Sequence, residues 1–149
     1  MNEIINDEIE AVYCKGKYIS KSAKLNNSIS VYYLLKQVYG DDVIDHHEEF
    51  WVIFLNVRNK ILKISKLAQG GITENFVDIR LIFQEALIVN AVSIILSHNH
   101  PSNESNPSNS DIILTKKIVE AGKLLNIKIL DHIIICDSNY YSFLDSRKL

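Results

Sequence analysis

At 149 residues the chain is one domain's worth, long enough to bury a real core and too short for two comfortable ones. Apolar residues make up 47% and charged residues 23%, which excludes the disordered and fibrous classes and points to an ordinary globular protein. A formal charge of −2 argues against a protein whose main business is coating nucleic acid or an anionic membrane, although a local basic patch is compatible with it.

The N-terminal stretch 1–10 is acidic and lacks the basic-then-apolar pattern of a secretory signal. Cys14 and Cys136 form no CxxC pair, so neither a cysteine zinc site nor a disulfide framework is indicated. No apolar run approaches the roughly 20 residues of a membrane span. A reducing, cytoplasmic setting is expected.

Ile9 to Ile19 alternates as an edge strand, with Gly16 between two lysines suggesting a turn or bulge in it. Lys21 to Asn27 is a polar connection. Val31, Leu34, Leu35 and Val38 then fall at helical spacing, with Ser28 or Ser30 available as N-cap and Gly40 closing the helix. Phe50 to Leu55 is a short apolar run, read as a strand buried on both faces. Asn56 to Lys60 turns the chain, and Ile61 to Leu67 returns as its hairpin partner. Gly70-Gly71 breaks the pattern.

Asp78 can cap a second helix with the apolar face Ile79, Ile82, Phe83, Ala86 and Leu87. Val92 to Leu96 is another buried strand. Beyond a Ser- and Asn-rich loop, Ser108 opens a third helix with Leu114, Ile118, Ala121 and Leu125 on one face. Ile127 to Leu130, Ile133 to Cys136 and Tyr140 to Leu144 read as late strands, the last two joined by the turn Asp137-Ser138-Asn139. The expected fold class is α/β (α+β): a mixed central sheet flanked by helices. Residues 1–27 supply an edge strand and connection, and residues 28–149 form the main body of one structural domain.

Histidine is scarce, yet His98-Asn99-His100 directly follows a buried strand. Residues i and i+2 of an extended segment point to one side, so two imidazoles can converge on one metal. Asp111, eleven residues on, starts the third helix. Two His and one Asp leave a fourth tetrahedral position open for water, the mark of a catalytic rather than a structural zinc site. Each part has a plainer reading. A lone HxH is often a pair of strand-end histidines, and Asp111 suits a first helical turn or a capping box with Ser108.

The string HNHPSNESNPSNSD, from His98 to Asp111, resembles the JAMM metalloprotease signature of the Jab/MPN superfamily. It is closest to the RadC-like branch, where HNHPS and a PSxxD ending recur. The resemblance extends upstream through EEFWVIFLNVRNKIL and downstream through ILDHIII, covering roughly Ser28 to the C-terminus. It implies a Jab/MPN-like (cytidine-deaminase-like) domain holding one zinc ion per chain through His98, His100 and Asp111. It also implies a general-base glutamate ahead of an early core strand. The Glu-x-Phe pattern carries that role onto Glu48, while Glu49 reads as a solvated residue at a strand entrance. Ser108 matches the family serine that hydrogen-bonds the oxyanion, and otherwise serves as a helix cap. His132 reads either as a group orienting a ligand from behind or as a satisfied histidine at a sheet end. His46 and His47 read as exposed.

The implied activity is a zinc metallopeptidase or isopeptidase acting on a peptide or isopeptide-linked protein. One alternative is a DNA-repair-associated or nucleic-acid-processing RadC-like module. It has little direct support, because Lys15, Lys17, Lys21 and Lys24 form the only basic cluster, aromatic interleaving stops at Tyr13 and Tyr18, and no helix-hairpin-helix-type segment is recognised upstream. At most weak nucleic-acid binding is expected, with no membrane association and no indication of oligomeric state. A metal-binding interaction domain without catalysis is the other alternative. A zinc nucleoside deaminase is set aside, since its HxE and PCxxC signatures are missing.

Overall fold

The computed structural model describes residues 11–70 and 77–149. Ala11–Cys14 (β1) and Lys17–Ser20 (β2) form an antiparallel two-stranded sheet of their own. The expected single strand is thus a hairpin, with residues 9 and 10 lying outside the described residues. Lys15 and Gly16 both adopt positive φ, 49° and 78°, the two-residue turn whose twist matches the strands it joins. Period-two alternation continues through both arms, so the pattern alone does not reveal the reversal. Val12, Cys14 and Ile19 of this hairpin are buried in the main core.

Ser28–Tyr39 (α1) is capped by Asn27, one residue before Ser28 and three before Ser30, the two expected caps. Asn27 accepts from the Ser30 amide at 2.9 Å while Ser30 Oγ accepts from the Asn27 amide at 3.2 Å, a reciprocal capping box. Gly40, at φ 74°, ends the helix as its composition suggests.

A five-stranded mixed sheet follows, with Glu49–Leu55 (β3), Ile61–Gln69 (β4), Ser93–Asn99 (β5), Lys128–Ile135 (β6) and Tyr140–Ser142 (β7) in the order β4-β3-β5-β6-β7. Only the β5–β6 pair is parallel. Ile79–Ile88 (α2) leads into β5, and Asn109–Leu125 (α3) makes the crossover from β5 to β6. Strand β3 is buried along its whole length. Its alternate residues serve two cores: Trp51, Ile53 and Leu55 pack with α1, whereas Phe50, Val52 and Phe54 pack with Ile82, Phe83 and Ile118 of α2 and α3. That is the mixed sheet flanked by helices read from the sequence. No helix among the described residues is long and apolar enough to cross a membrane.

Two differences bear on the site. Strand β5 extends through Ser97, His98 and Asn99, so the first histidine of the pair lies inside the sheet. The two late strands expected at 127–130 and 133–136 are one, because Asp131 and His132 are buried within it instead of breaking it. Asp131 is satisfied there by Ser142 Oγ at 2.6 Å and by the amides of His132 and Leu144 at 2.7 and 3.0 Å.

Along α3 the buried positions are Thr115, Ile118 and Gly122, while Leu125 is exposed, as is Leu87 on α2. A Cβ on Gly122 would lie 2.4 Å from the carbonyl oxygen of Ile127, and the Ile127 amide donates to the Gly122 carbonyl at 2.8 Å. The helix end and the chain entering β6 are therefore in backbone contact, an approach that only glycine permits. Gly122→Ala is expected to lower stability by about 1–3 kcal/mol, as overpacked sites do. Thermal melts should show a Tm drop of roughly 2–4 °C per kcal/mol.

Candidate metal centre

Strand β5 delivers His98 onto the α2/α3 face of the sheet, in register with Phe50 of β3, whose ring stacks on it at 6.1 Å and 7°. His100 follows just past the strand end on the same side. Asp111 arrives from the first turn of α3, where the Ser108 cap fixes the start of the helix. Ser108 Oγ accepts from the Asp111 amide at 3.1 Å, and Asp111 Oδ2 accepts from the Ser108 amide at 2.8 Å. The capping box thereby aims the carboxylate as well as ending the loop.

Asp111 Oδ1 lies 3.3 Å from Nε2 of His98, and Oδ2 lies 3.2 Å from Nε2 of His100. The two Nε2 atoms are 3.0 Å apart. Ligand atoms of all three residues fall within 4.8 Å of one another. Nδ1 of His100 sits 2.7 Å from the Glu104 carbonyl oxygen, which can only accept, so Nδ1 carries the proton and Nε2 of the neutral ring is a lone pair. An unprotonated nitrogen, a second imidazole nitrogen and a carboxylate pointing at one spot need positive charge between them. This donor set fits a divalent cation, and two imidazoles with one carboxylate are borderline ligands of the kind that zinc takes.

The electrostatics agree. Burial opposes ionisation of Asp111, yet the neighbouring His100 and His98 hold its carboxyl far below the usual carboxylate range. For His100, burial favours the neutral ring, but the Asp111 carboxylate, the Glu104 carbonyl and the charge of Glu48 together raise its pKa.

Of the two adjacent glutamates, Glu48 lies just ahead of β3 and Glu49 is its first residue. Glu49 turns to the α1 side and is 2% exposed, correcting the expectation of a solvated side chain. Its carboxylate accepts from Trp51 Nε1 at 2.7 Å, meets His47 Nε2 at 3.1 Å, and pairs with Lys66 at 3.3 Å and Lys15 at 3.6 Å. Burial works against its charge, but these partners lower its pKa overall. His46 is exposed as expected, and His47 is half-buried against Glu49. Lys15, counted in the basic cluster, is engaged by Glu49 and by the Tyr39 carbonyl at 3.2 Å.

Sequence reasoning missed Asn99, between the two histidines. It points to the opposite face, fully buried, where Oδ1 accepts from the Glu49 amide at 2.7 Å. Its Nδ2 donates to the carbonyls of Ile44 at 3.0 Å and His47 at 2.8 Å. The segment carrying Glu48 is therefore tied to the strand carrying the histidines. A buried amide at the x of HxH was the available signal, since such a group requires partners.

The family model described as RadC-like JAB domain matches residues 25–149. The UPF0758 protein of Flavobacterium johnsoniae is 46% identical over 131 residues, covering 88% of this chain and 56% of that protein. The UPF0758 protein of Methanosarcina acetivorans is 45% identical over 98 residues, covering 66% and 43%. That of Porphyromonas gingivalis is 44% identical over 103 residues, covering 68% and 45%. The chain spans about half the length of the curated relatives it matches.

Metal analysis of the purified chain is expected to give about one divalent ion per molecule. His98→Ala or Asp111→Ala should abolish binding with the far-UV spectrum unchanged, because the core is built from apolar strands. Full occupancy in either variant contradicts the ligand assignment. Glu49→Gln should retain the metal and lose about 1–3 kcal/mol at neutral pH, the cost of leaving buried partners unmatched. A lowered folded-state pKa stabilises above the unfolded value of about 4.3, and that stabilisation disappears as pH falls through the folded value. Urea denaturation at several pH values should therefore show the gap between wild type and Glu49→Gln closing in acid.

Proposed function

Since this chain belongs to the RadC-like JAB domain family, we propose that it is a metal-dependent hydrolase of the JAMM type, cleaving an amide bond in a peptide or isopeptide-linked protein. The observation that carries the reading is the convergence of His98, His100 and Asp111 on one point, with Nδ1 of His100 turned away to the Glu104 carbonyl. His98, His100 and Asp111 would hold the ion, for which zinc is the proposed identity. A divalent cation held by two imidazoles and a carboxylate supplies Lewis acidity, polarising a carbonyl and bringing the pKa of water from about 15.7 towards about 7.

Glu48 is assigned the general base. It lies immediately ahead of β3, two residues before the Phe50 whose ring stacks on His98, and its charge contributes to raising the pKa of His100. In this role it takes a proton from the attacking water and returns it to the leaving amine. Ser108 is assigned the oxyanion contact. Its cap function uses a lone pair of Oγ, accepting from the Asp111 amide. A hydroxyl has one proton to donate besides its two acceptor sites, so capping leaves the O–H available for substrate. The two roles read from the sequence are compatible in one side chain.

The test begins with a metal-dependent cleavage screen on peptides and isopeptides; if no cleavage occurs in the metal-loaded protein, the interaction-domain reading replaces this one. On a substrate so found, Glu48→Gln should keep the metal and lose about 10²–10⁴-fold in kcat. Ser108→Gly separates the serine's two functions, because glycine caps helices within a few tenths of a kcal/mol of serine but donates nothing. It is expected to melt near the wild-type temperature and to lose on the order of 10²–10³-fold in kcat. Unchanged turnover in Ser108→Gly would leave the serine as a cap alone.

A further inference from the structure

Behind His98 lies a chain of hydrogen bonds whose direction is fixed from its far end. Thr115, buried one turn beyond Asp111 on α3, places Oγ1 2.7 Å from the Asp111 carbonyl oxygen and 2.6 Å from Nδ1 of His132. A carbonyl only accepts, so the single hydroxyl proton of Thr115 goes to Asp111. Oγ1 must then accept from His132, which carries its proton on Nδ1. Nε2 of His132, 2.8 Å from Nδ1 of His98, is consequently a lone pair, and the proton between the two rings belongs to His98. A neutral His98 protonated on Nδ1 presents a bare Nε2 to His100 and Asp111.

We propose that Thr115 and His132 are positioning residues of the metal centre, acting through His98 to fix the tautomer in which its Nε2 can ligate. The proposal rests on the metal reading of His98, His100 and Asp111 and adds two residues that do not touch the ion. The usual partner behind a ligating histidine is a carboxylate or a backbone carbonyl, which can only accept. His100 has such a partner in the Glu104 carbonyl. An imidazole differs, because it accepts in one tautomer and donates in the other. Reversed, His132 would donate from Nε2 into Nδ1 of His98, move the proton of His98 to its own Nε2, and close the site to a cation. Thr115 decides between the two states. Ring rotation offers no escape: His132 is fully buried, stacked on Phe143 at 4.9 Å and 11° and edge-on to Phe50 at 5.7 Å.

Two measurements on the full chain test this. Long-range ¹H–¹⁵N correlation spectra of the metal-free protein, taken well above the imidazole pKa range, read each tautomer directly. Both His98 and His132 are expected with the proton on Nδ1. Zinc titrations then compare wild type with Thr115→Val and Thr115→Ser. The valine variant should bind zinc roughly 10–100-fold more weakly and shift His132 to the Nε2–H form. The serine variant, which restores the hydroxyl, should recover both. A threonine with only a structural role would lower Tm in Thr115→Val and leave tautomers and zinc affinity alone, and that result overturns the proposal. An Nε2–H tautomer in a wild-type chain that binds zinc overturns the relay while the metal reading stands. A wild-type chain that binds no zinc overturns the metal reading and the proposal with it. The wild-type spectra decide even if Thr115→Val does not fold.

Discussion

Strand alternation is the constraint on which the rest of this structure depends. In β3 and β5, neighbouring residues leave the sheet on opposite sides, and the sequence uses that to separate two kinds of polar group. Phe50, Leu96 and His98 look towards α2 and α3, where Asp111 completes the candidate metal cluster. Trp51, Ser97, Asn99 and Glu49 look towards α1, where polar atoms are used to hold backbone and to pair charge. A one-residue slip of β5 against β3 would exchange the two sets and place an amide where an imidazole is needed.

The side facing α1 is unusually polar for a core. Glu49 sits among Trp51, His47, Lys15 and Lys66, and the hydroxyl of Tyr39 meets Ser97 Oγ at 3.0 Å. Burial pushes the Tyr39 hydroxyl pKa well up, with the nearby carboxylates of Glu49 and Glu48 adding to it. None of these groups is isolated, so burial does not leave them uncompensated. The two lysines reach Glu49 from separate places, the β1–β2 turn and strand β4. The small N-terminal sheet is thus coupled to the main one by charge as well as by Val12, Cys14 and Ile19.

Much of this was legible in the sequence, and the gaps have physical causes. The apolar runs Phe50–Leu55 and Val92–Leu96 gave their strands, because continuous burial leaves no competing period. His98, His100 and Asp111 were legible because their spacing is a chemical signature, and Ser108 because a cap must precede the helix. The reversal at Lys15-Gly16 was hidden by alternation in both arms. Strand β6 reads as two strands because Asp131 and His132 are polar, and only tertiary partners make them acceptable inside it. The buried face of α3 is read only in part for the same reason: Leu114, Ile118 and Ala121 do pack in the core, but Thr115 and Gly122 join them for a hydroxyl bond and a close backbone approach, neither of which hydrophobicity records. Glu49 looks like a surface residue because the two lysines that balance its charge, Lys15 and Lys66, come from separate segments.

Asn99 has a further consequence. Its side chain joins the Glu49 amide of β3 to the carbonyls of Ile44 and His47, and it does so from within β5. The segment ahead of β3 cannot swing away from the histidines without stripping a buried amide of its partners, each worth about 0.5–1.5 kcal/mol net and more if left unmatched. Local opening there is consequently bound up with separation of β3 from β5, which is close to unfolding of the sheet itself. The relative placement of Glu48 and the histidines is therefore a property of the whole fold's equilibrium. A core substitution far away that raises the unfolded fraction diminishes the assembled site by the same factor, without altering the geometry of the molecules that remain folded.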